Sequence, residues 1–105
     1  MPGVDLNYFI RQANKLTEKI EKRKQELAEE TREKKSANDL ITVTVSCSQE
    51  IKSLKIAPAA VDPNDLAMLE DLIIATVNAA LADSKTYMQA ELGKVSGGIK
   101  IPGIT

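Results

Sequence analysis

Arg11, Lys15, Lys19 and Lys22 recur at steps of four, four and three residues, the spacing that lines side chains along one face of a helix. Arg23 and Lys24 continue the run, so residues 11–24 hold six basic side chains against two acidic ones, Glu18 and Glu21. Lysine and arginine on an exposed helix meet phosphate oxygens and release condensed counterions, which gives an affinity that falls with salt. The same spacing also serves a solvated helix face, with Glu18 paired to Lys22 at i,i+4. Taken alone, the residues favour the solvated face. No aromatic residue interleaves the cations between Arg11 and Lys24, which argues against a platform for stacking single-stranded bases.

No other constellation carries chemistry. The chain has no histidine, so the commonest general base is missing and no Cys-His or Ser-His pair can form. Cys47 is the single cysteine, which excludes an intrachain disulfide and a CxxC metal or redox site. It continues the apolar side of an alternating segment and reads as a buried structural thiol. Glu70 and Asp71 are adjacent, so on a helix they point to different sides and make no acid–base pair. Gly93, Gly97 and Gly98 neither follow a strand nor open a helix, so no phosphate loop is indicated. The expectation is a protein that is not an enzyme and takes no cofactor or metal.

The net charge of −1 hides two poles. Against the basic run, residues 62–92 hold six carboxylates (Asp62, Asp65, Glu70, Asp71, Asp83, Glu91) and one cation, Lys85. The lone cysteine, a start without a basic stretch and apolar runs far short of the ~20 residues of a membrane helix point to a cytoplasmic protein.

The elements that position these residues follow from periodicity. A long helix is expected from about Asp5 to Lys35, capped by Asp5, with a heptad seam of Leu6, Phe9, Ala13, Leu16, Ile20 and Leu27. Arg23 interrupts the seam, either snorkelling where the helix leaves the core or marking a register device; the thinning apolar pattern favours snorkelling. About thirty residues give ~45 Å, more than the ~26 Å span of a 100-residue domain, so the helix must project or meet a partner. Ser36–Asp39 reads as a turn. Ile41, Val43, Val45 and Cys47 alternate with Thr42, Thr44 and Ser46 as a strand, and Lys52 to Ile56 gives a second, with Leu54 and Ile56 on one face. Asp62-Pro63-Asn64-Asp65 predicts a helix start with Asp62 as N-cap, and Gly93 is its expected left-handed stop after Leu92. Leu72, Ile73, Ile74, Val77 and Leu81 make the middle of that helix apolar on nearly every side. A helix that is apolar all round is buried all round, and a second copy is the economical cover, so these five residues are the expected dimer interface. The domain is expected to span residues 1–95, with residues 96–105 as a loose, glycine- and proline-bearing tail.

In this order of elements the chain resembles the YbaB/EbfC family of nucleoid-associated DNA-binding proteins. Leu69-Glu70-Asp71-Leu72-Ile73 followed by Ala75, Asn78 and Ala80 is similar to the family's helix pattern. Ile41–Val45 and Lys52–Ile56 are similar to its paired strands, and Gly97-Gly98 with Pro102-Gly103 to its tail. The similarity covers essentially the whole chain. It implies an α+β fold in the order α-β-β-β-α, a two-layer domain with a small antiparallel sheet and a long projecting N-terminal helix, in an intertwined homodimer. It also implies a strand around Thr31 to Ser36 that the residues alone do not announce. Association with duplex DNA of little sequence preference, in the nucleoid, follows from the resemblance, as does a link to recombination repair or gene regulation. Two turns depart from the family's glycine-bearing pattern, at Ala37-Asn38-Asp39 and at Cys47-Ser48-Gln49. The resemblance tilts the basic stripe toward DNA, with Arg11, Lys15, Lys19, Lys22, Arg23 and Lys24 as contacts. The rival is a dimeric scaffold whose long helices bind another protein, which the isoelectric point of about 5.5 favours.

Overall fold

A computed structural model describes residues 5–97. The first helix, α1, runs over Leu6–Ala28, and the Asp5 carboxylate accepts a hydrogen bond from the Tyr8 amide at 3.2 Å, as expected of its cap. The helix does not reach Lys35. Thr31–Lys35 forms strand β1 instead, the strand that the family resemblance implies and that residue periodicity misses. The reason lies in tertiary pairing rather than propensity. Thr31 through Lys35 lie opposite Ser46 through Thr42 in antiparallel register, and the ladder overrides a segment whose own residues are merely polar. Its lysines and glutamate suit an edge strand, where charge blunts unwanted pairing.

Strand β2 spans Ile41–Ser46 and β3 spans Ile51–Ile56, giving a three-stranded antiparallel sheet in the order β1-β2-β3. Ile41, Val43 and Val45 point to one face and are fully buried, as their alternation predicts. Leu54 and Ile56 lie opposite Val43 and Ile41 on that same face, yet remain 42% and 40% exposed at the open edge. A register shift at Thr44/Val45 marks a bulge. The two turns without glycine keep a left-handed backbone all the same: Asn38 and Asp39 have φ of 59° and 55°, and Gln49 has φ of 69°. Asn and Asp tolerate this region best. Gln49 is fastened by its side-chain amide, which donates to Ser84 Oγ at 2.6 Å.

The second helix, α2, covers Leu66–Val95. Its N-cap is Asp65, which accepts from the Met68 amide, and not Asp62. Asp62 instead accepts from the Asn64 amide, so Pro63 and Asn64 belong to the turn before the helix. At the other end Gly93 lies inside α2, and the left-handed stop is Gly97, at φ 66°. A glycine within a helix is tolerated where the next favourable cap lies a turn further on. Of the segment expected as a tail, Ser96 and Gly97 close α2, whereas the motif residues Gly98, Pro102 and Gly103 lie outside the described residues.

Two apolar clusters result. One joins Ile41, Val43, Val45 and Ala60 to Ala80 of α2, flanked by Leu69, Leu72, Ile73, Val77 and Leu81. The other joins Ile20 and Leu27 of α1 to Cys47 and Leu92, flanked by Leu16, Tyr87, Met88 and Val95. The clusters sit in series along a rod of 78 × 19 × 17 Å, with a radius of gyration of 20.2 Å. A self-contained domain of this length has a radius near 13 Å. The chain therefore leaves much of its apolar surface uncovered by itself.

Candidate nucleic-acid interface

Helices α1 and α2 run antiparallel. Tyr87 donates its hydroxyl hydrogen bond to Glu30 at 2.7 Å, Arg23 reaches Glu91 at 2.7 Å, and Val95 lines a groove with Lys19, Lys22 and Arg23. This pairing holds the C-terminal half of α1 and lets the N-terminal half project past the end of α2. At a helical rise of 1.5 Å the stretch from Leu6 to Ile20 is about 21 Å long. Leu6, Phe9 and Ile10 are exposed on it, at 67%, 53% and 48%.

Arg11, Lys15, Lys19 and Lys22 are all exposed and lie off the apolar seam of α1, with Lys19 and Lys22 bordering a groove that Val95 of α2 also lines. Among the described residues none of the four forms an ion pair, and the Glu18–Lys22 pairing that the spacing allows is not made. Lys24 differs: it reaches Glu21 at 3.5 Å. Arg23 differs more. Its guanidinium meets Glu91 at 2.7 Å, Glu30 at 3.2 Å and Glu26 at 3.4 Å, and these carboxylates hold it firmly in the charged form. It neither snorkels to solvent nor sets a register between like helices, but ties α1 to α2 and to the segment leading into β1.

Sequence reasoning does not find the network around Arg23. Lys94 and Arg23 both hydrogen-bond Glu91 and hold its carboxyl below the usual glutamate range, Lys94 having the larger effect. The hydrogen bond to Glu30, aided by burial, keeps the Tyr87 hydroxyl protonated above its ordinary value. Arg32 stacks 4.5 Å above the Tyr87 ring and donates to Asp83 at 3.0 Å. The only advance signal is Arg23 itself, a cation on the apolar seam with acids three and seven positions on. These contacts also engage Asp83 and Glu91, two of the six carboxylates of the acidic pole. The other four, Asp62, Asp65, Glu70 and Asp71, cluster around the start of α2, at the opposite end of the rod from the α1 stripe.

Of the five residues expected at a dimer interface, Leu72, Ile73, Val77 and Leu81 pack partly against the sheet, while Ile74 is 58% exposed. Ile51, Leu54 and Ile56 on β3, with Val61, Leu66 and Met68, extend the exposed apolar surface at that end. Cys47 is buried, as expected, and burial raises its thiol pKa. Among the described residues no group of three His, Cys, Asp or Glu side chains is placed to hold a metal, and no helix is long and apolar enough to cross a membrane.

The model of the YbaB/EbfC DNA-binding family matches residues 1–99. A nucleoid-associated protein of Myxococcus xanthus is 68% identical over 105 residues, covering 100% of both chains. One from Anaeromyxobacter dehalogenans is 45% identical over 101 residues, covering 96% of this chain and 98% of its own. In three dimensions the fold is similar to the crystal structure of an uncharacterized protein from Helicobacter pylori, at a TM-score of 0.74 and 10% identity, covering 90% of this chain and 100% of that one. By the family match across its fold and by these relatives, the chain belongs to the YbaB/EbfC DNA-binding family.

Proposed function

We propose that the protein is a homodimer that binds the backbone of duplex DNA in the nucleoid through the exposed stripe Arg11, Lys15, Lys19 and Lys22. The observation that carries this reading is the uneven charge along the rod: the unpaired cations Arg11, Lys15, Lys19 and Lys22 line α1, where they outnumber Glu18 and Glu21, while Asp62, Asp65, Glu70 and Asp71 lie around the start of α2 at the far end. A duplex can lie along the stripe without meeting the acidic pole. Lysine–phosphate contacts position a protein and read no bases, so little sequence preference follows. Arg23 and Lys24 belong to the same run but engage carboxylates of their own chain, Arg23 holding α1 against α2 through Glu91 and Lys24 pairing within α1 with Glu21. The absence of histidine, the commonest general base, supports a role without catalysis. The relatives' name, nucleoid-associated protein, supports the cytoplasmic, nucleoid location, and a part in recombination repair or gene regulation fits a protein that coats DNA without reading it.

A gel-shift with duplex DNA across a salt series tests it. Log affinity should fall linearly with log salt, by about 0.9 per phosphate neutralised. Replacing Lys15, Lys19 and Lys22 by Gln should weaken binding to all duplexes alike and flatten the slope. No binding at low salt would leave the protein-scaffold reading in front, and unchanged binding in the triple variant would move the contact to residues such as Arg32, Lys34 and Lys35.

A further inference from the structure

The cationic stripe of α1 has one more member, and it carries no charge. Tyr8 precedes Arg11 by three residues, so the steps three, four, four and three run unbroken from Tyr8 to Lys22. With about 3.6 residues per turn, Tyr8 falls within the sector of about 80° that holds the four cations, whereas Leu6, Phe9 and Ile10 fall outside it. Tyr8 is 49% exposed. Among the described residues no side chain takes its hydroxyl, while that of Tyr87 is taken by Glu30 at 2.7 Å. The residue is nonetheless held in place. Its amide donates to the Asp5 carboxylate in the capped first turn, and its ring meets that of Phe9 edge-on, with centroids 5.8 Å apart and planes at 79°. Such a contact favours one setting of the ring. A phenol and four cations therefore share one face about 21 Å long, the rise of roughly six base pairs.

We infer that Tyr8 is a fifth contact of this stripe with duplex DNA, its hydroxyl donating to a backbone phosphate oxygen nearly one helical turn beyond Arg11, with Phe9 as the positioning residue for its ring. The inference rests on the proposed DNA contact and adds to it a residue that neutralises no phosphate. Tyrosine hydroxyls serve as phosphate donors in protein–DNA contacts, and a hydrogen bond to a charged oxygen is stronger than one to a neutral acceptor. One ring at the end of the run, with none between the cations, suits a backbone donor better than a platform for unstacked bases. Charge decides between DNA and a second copy as the occupant of this face. Residues 6–20 hold three cations, Arg11, Lys15 and Lys19, and one acid, Glu18, so two such arms laid stripe to stripe would repel. A duplex brings the opposite sign.

Tyr8→Phe removes the hydroxyl and keeps the ring with its contact to Phe9. Gel-shifts with one duplex across a salt series compare it with the parent chain and with Lys15→Gln. Tyr8→Phe should bind on the order of tenfold more weakly at every salt concentration, with the salt slope, thermal midpoint and solution mass of the parent. Lys15→Gln should also weaken binding but reduce the slope by nearly one. Phe9→Leu should weaken binding in the parent and add nothing in Tyr8→Phe, because the brace acts through the hydroxyl. Unchanged affinity in Tyr8→Phe beside a weakened Lys15→Gln would overturn the inference and leave the proposed DNA contact standing. No binding by the parent even at low salt would remove both. A loss in Tyr8→Phe that comes with a lower thermal midpoint would also overturn it, by making Tyr8 a support of the first turn of α1. Equal weakening by Phe9→Leu in both backgrounds would take the positioning role from Phe9.

Discussion

Arg23 of α1 and Glu91 of α2 meet at 2.7 Å across 68 positions of the chain, at the point where the projecting half of α1 leaves its last support. The pair converts a residue of the basic run into an internal fastening. Arg23→Gln and Lys19→Gln remove the same charge and should therefore separate by readout. The first should lower the thermal midpoint by a few degrees and free the amides of α1 to exchange; the second should leave the melt unchanged and reduce the salt slope of DNA binding by nearly one. Equal effects on the melt would mean that Arg23 is not a fastening.

The same contact sets an acid limit. Hydrogen bonds from Lys94 and Arg23 hold the Glu91 carboxyl below its ordinary value, so the stability it contributes is present above that value and is lost as pH falls through the lower native one. Thermal melts should therefore weaken as the pH drops below the ordinary glutamate value of about 4.3. In Glu91→Gln that part of the acid dependence should vanish and the midpoint at neutral pH should already be lower. A Glu91→Gln profile parallel to the parent's would exclude this linkage.

Dimerisation is expected from surface that one copy leaves bare. Ile74 is 58% exposed, and Leu66 and Met68 earlier on the same helix are exposed as well. Light scattering at micromolar concentration should give twice the chain mass, and Ile74→Glu should shift it toward the single mass, because an unpaired carboxylate in an apolar interface costs several kcal/mol. Unaltered mass in that variant would place the interface elsewhere, with the β3 edge the next surface to examine.

Val43 sits at the centre of the sheet with no solvent exposure. Val43→Ala should cost about 2–3 kcal/mol through lost burial and an incompletely filled cavity. Urea denaturation should show a lower midpoint with an unchanged slope.

Asp39 holds a left-handed backbone with φ of 55°. Asp39→Gly relieves that strain at the expense of a freer unfolded chain, for a net gain of about 0.5 kcal/mol. A loss in stability would show that the Asp39 side chain supports the turn.

Legibility divided along a physical line. Where one face of an element is buried and the other wet, the pattern was plain: Ile41, Val43 and Val45 alternate in sequence and in space, and Ile20 and Leu27 keep the seam that meets α2. Strand β1 has no such contrast, since only Arg32 of its five residues is even partly covered. Its existence depends on β2 being beside it, which no local window contains, and the family resemblance alone foretold it. The N-cap of α2 was misplaced for a related reason, whereas Asp5 caps α1 as expected. Asp62 and Asp65 are equally good cap residues by type, and Asp62 is used in the turn before α2, where it accepts from the Asn64 amide, leaving Asp65 to open the helix. At the candidate site the stripe was readable because helical spacing alone puts Arg11, Lys15, Lys19 and Lys22 together. The fate of Arg23 was not, because Glu30 and Glu91 reach it only after the chain has folded back.

The sheet is a meander in which every strand pairs with its neighbour in sequence, whereas the α1–α2 contact joins positions 68 apart. Closing the two short hairpins confines little of the chain; closing the long loop confines more of it, and the confinement grows with the logarithm of loop length. The hairpins are therefore placed to form early and the helix pairing late. A substitution at Arg23 or Glu91 should leave the refolding rate nearly unchanged and quicken unfolding, and α1 should part from α2 at intervals while the sheet stays closed.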